Sequence, residues 1–88
     1  MLKIQETTQF RRDIKRLVRQ GRKPELLFSV IEALANTVPL ADKYLNHALM
    51  GNWRGYQECH IRPDWLLIYK IEEDILYLAR SGSHAELF

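Results

Sequence analysis

The most constraining stretch of this sequence is Trp65-Leu66-Leu67-Ile68-Tyr69, five successive apolar residues held between two polar turns, Arg62-Pro63-Asp64 and Glu72-Glu73-Asp74. A run this short, bounded by turn formers, reads as the apolar central strand of a sheet and falls far below the ~20 residues that a membrane span needs. Trp53 to Ile61 before it and Ile75 to Arg80 after it read as its neighbouring strands, so the second half of the chain is expected to be a β-meander.

The first half follows a different period. Leu2-Lys3-Ile4-Gln5 alternates as one short strand, and Thr7 or Thr8 offers a helix N-cap. Phe10, Ile14, Leu17 and Val18 then recur as one apolar helical stripe, with Arg12, Lys15, Arg16 and Arg19 on the opposite face until Gly21 stops the helix. Pro24 suits the first position of a second helix, whose Leu26, Leu27, Val30, Ile31 and Leu34 face a core up to about Ala35-Asn36. From Thr37 to Asn52 the period fails, which predicts a loop with at most a short helical turn near 43–49; a loop that long in a small domain is usually functional or disordered. Gly82 is expected to break the last strand, leaving a short tail. The order is therefore β-α-α-β-β-β, an α+β fold with an αα-hairpin packed on one face of a mainly antiparallel, twisted sheet.

With 88 residues, 1–88 form one domain, too small for a dinucleotide-binding fold or a TIM barrel. The single cysteine, Cys59, allows no internal disulfide and no cysteine cluster for zinc, and the N-terminus lacks a signal-peptide pattern, so a cytoplasmic setting and no membrane partner are expected. Charge is unevenly spread. Residues 1–23 carry eight Lys/Arg against Glu6 and Asp13, for +6, whereas residues 24–88 carry five against nine acids, for −4. A polyanion or an acidic protein is the partner such a basic half would attract.

All three histidines fall at element boundaries or in the loop: His47 before the meander, His60 near the end of its first strand, and His84 just past its last. Meander topology places His60 beside Asp64, and the end of the third strand returns Arg80 and the tail to the same edge; the loop bearing His47 can reach it too. Three imidazoles, a carboxylate and a guanidinium, bordered by Trp53, Trp65 and Phe88, suit metal-free cleavage of RNA. In that reaction a base takes the 2′-hydroxyl proton, an acid protonates the departing 5′-oxygen, and a cation faces the phosphoryl oxygens. Imidazole serves as either acid or base, and aromatic rings stack unpaired bases. No compact metal-ligand spacing such as H-x-x-x-H is present, so neither metal nor cofactor is expected.

Three segments carry a more specific signal: His47-Ala48-Leu49-x-Gly51-x-Trp53-x-Gly55-Tyr56, His60-Ile61-x-Pro63-Asp64-Trp65-Leu66-Leu67-Ile68-Tyr69-Lys70, and Arg80-x-Gly82-Ser83-His84-Ala85-x-Leu87-Phe88. Over about residues 38–88 the chain resembles the YafQ branch of the RelE-type toxins of bacterial type II toxin–antitoxin pairs; residues 1–37 match only in length, basic character and helix pattern. The resemblance implies a ribosome-dependent endoribonuclease that cuts messenger RNA and is neutralised by a cognate antitoxin, in a complex expected to be a heterotetramer. It also implies catalytic roles for His47, His60, Asp64, His84 and Arg80, with Trp65 and Phe88 at the substrate. His84 is the choice for leaving-group acid, and Asp64 or His60 for base. The basic face of the first helix, with Arg12, Lys15 and Arg19, would hold surrounding nucleic acid. A rival reading is a ParE-like toxin, which shares the scaffold but poisons DNA gyrase by binding; such a module would need no histidine set.

Overall fold

The computed structural model describes all 88 residues. Strand β1 (Lys3–Glu6) leads into helix α1 (Thr8–Arg19) and helix α2 (Pro24–Ala35). A two-residue strand β2 (His47–Ala48) follows, then β3 (Gln57–Arg62), β4 (Trp65–Glu72), β5 (Ile75–Gly82) and a terminal helical turn α3 (His84–Leu87). The five strands lie in the order β1-β5-β4-β3-β2, with only the β1/β5 pair parallel. This is the α+β arrangement with a mainly antiparallel sheet that the sequence predicts.

Local chemistry sets the helix ends. Thr7 Oγ1 accepts the Phe10 N–H at 2.9 Å, capping α1, and donates to the Ala79 carbonyl at 2.8 Å, tying the helix start to β5. Gly21, at a φ of 80°, takes the left-handed conformation that lets the chain leave α1, and Pro24 opens α2. Both helices pack on one face of the sheet, where Phe10, Leu17, Leu27, Val30 and Leu34 meet Trp65, Leu67 and Tyr69 of β4. The alternate residues of β4, Leu66 and Ile68, point to the other face, where Ala79, Leu87, Leu49, Trp53 and Tyr56 cover them. Strand β4 is thus apolar on both sides because both of its faces are covered.

Several expectations are corrected. The strand expected over 53–61 runs instead from Gln57 to Arg62, and Trp53 ends a 3₁₀ turn, Gly51–Trp53. The loop holds a 3₁₀ turn at Asp42–Tyr44 and the short β2, which pairs His47 with Glu58 and adds a fifth strand. Strand β5 continues through Gly82, and the tail coils into α3 because Ser83 and Glu86 form a capping box. On α1 the buried positions are Phe10, Asp13 and Leu17, while Val18 is exposed; Arg16 is half-buried and leaves the solvent face that was assigned to it.

Candidate active site

In β3, Cys59 and Ile61 enter the core under α1 and α2, so alternation turns Glu58 and His60 to the opposite face, the one that α3 covers in part. Register then builds a row across that face. His47 of β2 pairs with Glu58, Glu58 with Ile68 of β4, and Ile68 with Arg80 of β5. Arg80 reaches this row through a β-bulge: Tyr69 pairs with Leu78 and Ile68 with Arg80, which leaves Ala79 unpaired and shifts every later side chain of β5 by one face. A second row holds His60, Leu66 and Gly82. At about 4.8 Å per strand, the first row spans roughly 14 Å from His47 to Arg80.

Glu58 is the centre of the histidine cluster, although its side chain is only 4% exposed. Its Oε2 lies 3.1 Å from His47 Nε2 and 3.6 Å from His60 Nε2, while Oε1 is buried without a partner. His47 Nδ1 lies 2.7 Å from the Leu45 carbonyl. Both ring nitrogens of His47 therefore face oxygen atoms. The rings continue as a chain: His47 to His60 is 6.3 Å between centroids, His60 to His84 6.2 Å, and His84 to Phe88 5.6 Å. The backbone of His84 is placed by two devices, the Ser83 capping box and the Asp64 carboxylate, whose Oδ1 accepts the His84 backbone N–H at 3.3 Å. Phe88 is 59% exposed, so its ring is open to stacking.

The structure thus brings together His47, His60, Asp64, His84 and Phe88, and sets Arg80 at the far end of the first row. Trp65 is corrected: it is 1% exposed, donates its indole N–H to Ser81 Oγ at 3.0 Å, lies under the Arg22 guanidinium, and has no open face for a base. Arg12, Lys15 and Arg19 are exposed, but on the helix layer, on the other side of the sheet from the imidazoles. A cleft of about 470 Å³ opens between Leu26 and Ser29 of α2, Lys43 and Tyr44, and the end of β3, with His60 and Arg62 on its wall. A larger apolar groove between β1, α1 and α2 contains no histidine.

Sequence reasoning missed two carboxylates. Glu58 stands two residues before His60, the spacing that puts both on one strand face, and that was the available signal. Asp13 looks like a surface partner of Arg16 one helical turn on; instead it is fully buried and receives Arg80, Arg16 and the Ser81 N–H. Burial alone would raise its carboxyl, but the hydrogen bonds from Arg80, Ser81 and Arg16 outweigh burial and hold it below the usual carboxylate range. Burial, with the adjacent Glu58 charge, pushes the Cys59 thiol up to about 12, which makes it inert.

The family described as "Bacterial toxin of type II toxin-antitoxin system, YafQ" matches residues 2–88. The mRNA interferase toxin YafQ of Escherichia coli K12 is 38% identical over 87 residues, which is 97% of this chain and 94% of that protein. A metal-bound toxin from Helicobacter pylori superposes with a TM-score of 0.93 at 46% identity, covering 100% of both chains. YafQ in the E. coli DinJ–YafQ complex superposes with a TM-score of 0.91 at 36% identity, covering 100% of this chain and 99% of that one. In the present chain no group of three or more His, Cys, Asp or Glu side chains is placed to hold a metal ion. A match over almost the whole sequence, with the same fold, means that the chain belongs to the YafQ family of bacterial type II toxin–antitoxin toxins.

Proposed function

We propose that this toxin is an endoribonuclease that cuts messenger RNA on the ribosome and is held inactive by a cognate antitoxin, in a heterotetrameric complex. The observation that carries the reading is the chain of three imidazoles on one sheet face, with a buried carboxylate between the first two and a guanidinium at the end of the row. The relatives support it by name, as an mRNA interferase and as a toxin complexed with DinJ.

His60, with Glu58 Oε2 3.6 Å from its Nε2, takes the proton of a substrate 2′-hydroxyl. The 2′-oxygen attacks the adjacent phosphorus, a new O2′–P bond forms, and the P–O5′ bond breaks. His84, held by Asp64 and the Ser83 cap, gives its proton to the departing 5′-oxygen. Arg80 faces the phosphoryl oxygens, where a planar cation stabilises the charge of the transition state. The products are a 2′,3′-cyclic phosphate and a 5′-hydroxyl. Phe88 stacks a base beside His84, and the cleft with Lys43, Tyr44 and Arg62 takes a flanking nucleotide.

The test is to incubate purified toxin with one message, translated or free, and to map the cuts. Cuts confined to the translated copy, and absent when the antitoxin is added, are expected. Intact message in both samples would overturn the reading.

A further inference from the structure

The edge of β5 beyond Leu78 has no strand partner, because β1 pairs with it only from Ile75 to Leu78. Helix α1 takes over that edge. Thr7 Oγ1 donates to the Ala79 carbonyl at 2.8 Å, the Ser81 N–H donates to Asp13 Oδ2 at 3.0 Å, and Arg16 Nη2 donates to the Ser81 carbonyl at 2.8 Å. Asp13 is 0% exposed at this seam.

Arg80 leaves the bulge on the histidine face, and its guanidinium reaches the same carboxylate side-on, Nε to Oδ2 at 2.8 Å and Nη2 to Oδ1 at 3.1 Å. Arg16 Nη1 adds a contact to Oδ1 at 2.7 Å. Each carboxylate oxygen thus accepts two hydrogen bonds, which fills the lone-pair sites of the group. A guanidinium has five N–H donors; two of Arg80's are engaged by Asp13, and three, including both on Nη1, remain for a phosphate.

We infer that Asp13 is a positioning residue of the cleavage site, acting through Arg80: it fixes the plane and direction of the guanidinium fork so that the remaining donors meet the phosphoryl oxygens. The inference rests on the endoribonuclease reading above. A free arginine samples many rotamers, and ordering it at the moment of reaction would cost the entropy that the Asp13 pair has removed beforehand. The carboxylate is required because two guanidiniums and a backbone N–H converge on it; an amide would turn a donor toward one of them.

The experiment is a double-mutant cycle read as single-turnover cleavage of ribosome-bound message, with wild type, D13N, R80A and D13N/R80A, together with thermal melts. D13N is expected to lower the cleavage rate by about 10²-fold, as a misplaced transition-state contact does, with the message concentration at half-maximal rate changed far less. R80A lowers the rate at least as far, and the double variant falls no further than R80A. A folded D13N with the wild-type rate, or a double variant whose loss is the product of the two single losses, would overturn the inference. Should D13N not fold, the readout passes to the wild type. The Arg80 Nε–H is then expected to exchange with water at least about tenfold more slowly than that of exposed Arg12, as a paired donor must. Equal exchange would overturn the inference. A wild type that cuts nothing would overturn the endoribonuclease reading and this inference together, whereas wild-type cutting retained by D13N overturns this inference alone.

Discussion

Glu58 brings a carboxylate into the sheet at 4% side-chain exposure and offers one oxygen to two imidazoles. A carboxyl group that deep is costly to bury without polar neighbours, and the His47 and His60 rings lie beside it. Glu58→Gln keeps the shape and removes the charge; it should lower cleavage by about 10²-fold with little change in melting temperature. His84→Ala should cost about 10² to 10⁴ in rate, also without unfolding, since α3 is anchored by Leu87 and the Ser83 cap and not by the ring. If His84→Ala unfolds while each folded molecule cuts at the wild-type rate, His84 is structural. Asp13 gives the acid limb of stability a definite sign. Its folded carboxyl lies below the ordinary range, so the unfolded chain takes up the proton first as pH falls. The stabilisation is complete above the ordinary carboxylate pKa and is lost as pH drops through the folded value. Urea midpoints measured from about pH 6 down to about pH 3 should therefore fall more steeply for wild type than for D13N; parallel curves would remove Asp13 from the account. The histidines and Asp64 were legible in the sequence because uncommon residues at strand ends draw notice. Glu58 and Asp13 were hidden because a carboxylate beside polar neighbours looks solvated until the partners from distant segments are in place.

At the scale of elements, the αα-hairpin and the three long strands could be read because their apolar periods run for two or more turns or pleats. Strand β2 could not be, since two residues carry no period; only the pairings of His47 with Glu58 and of Ala48 with Gln57 define it. Helix α3 was missed for the same reason, although Ser83 and Glu86 do spell a capping box three residues apart. Gly82 holds its place there through space and not through its φ. A Cβ on it would lie 2.5 Å from Arg16 Nη2 and 2.9 Å from Glu86 Oε1. Those are ends of flexible side chains, so Gly82→Ala should fold with a loss of about 1–2 kcal/mol while it loosens the α3 cap. Cleavage should drop more than the melting temperature does, and a variant with unchanged activity would show that α3 need not be held. On α1 the exposed Arg12, Lys15 and Arg19 face away from the sheet, and the buried Phe10 and Leu17 keep the helix in place without them. Reversing the three charges should therefore leave the fold intact, slow association with an acidic antitoxin segment and reduce its salt dependence. Identical salt slopes for the two proteins would make this face plain solvated surface.

The whole molecule divides its labour between the two faces of one sheet. One face takes α1 and α2 and most of the core, and presents the basic surface of residues 1–23 outward. The other carries the histidines, Glu58, Asp64, Arg80 and Phe88 over a thin apolar cover, and the bulge in β5 is what turns Arg80 to that side. Because the proposed acid, base and phosphate cation are all side chains of this chain, cleavage should persist under chelation so long as the ribosomes stay intact. The most direct test of the central claim is the chemistry of the cut ends. Message cleaved by the wild-type toxin should carry a 2′,3′-cyclic phosphate, or its opened product, on one side and a 5′-hydroxyl on the other. A 3′-hydroxyl paired with a 5′-phosphate would mean that water and not the 2′-oxygen is the nucleophile, and would contradict the account.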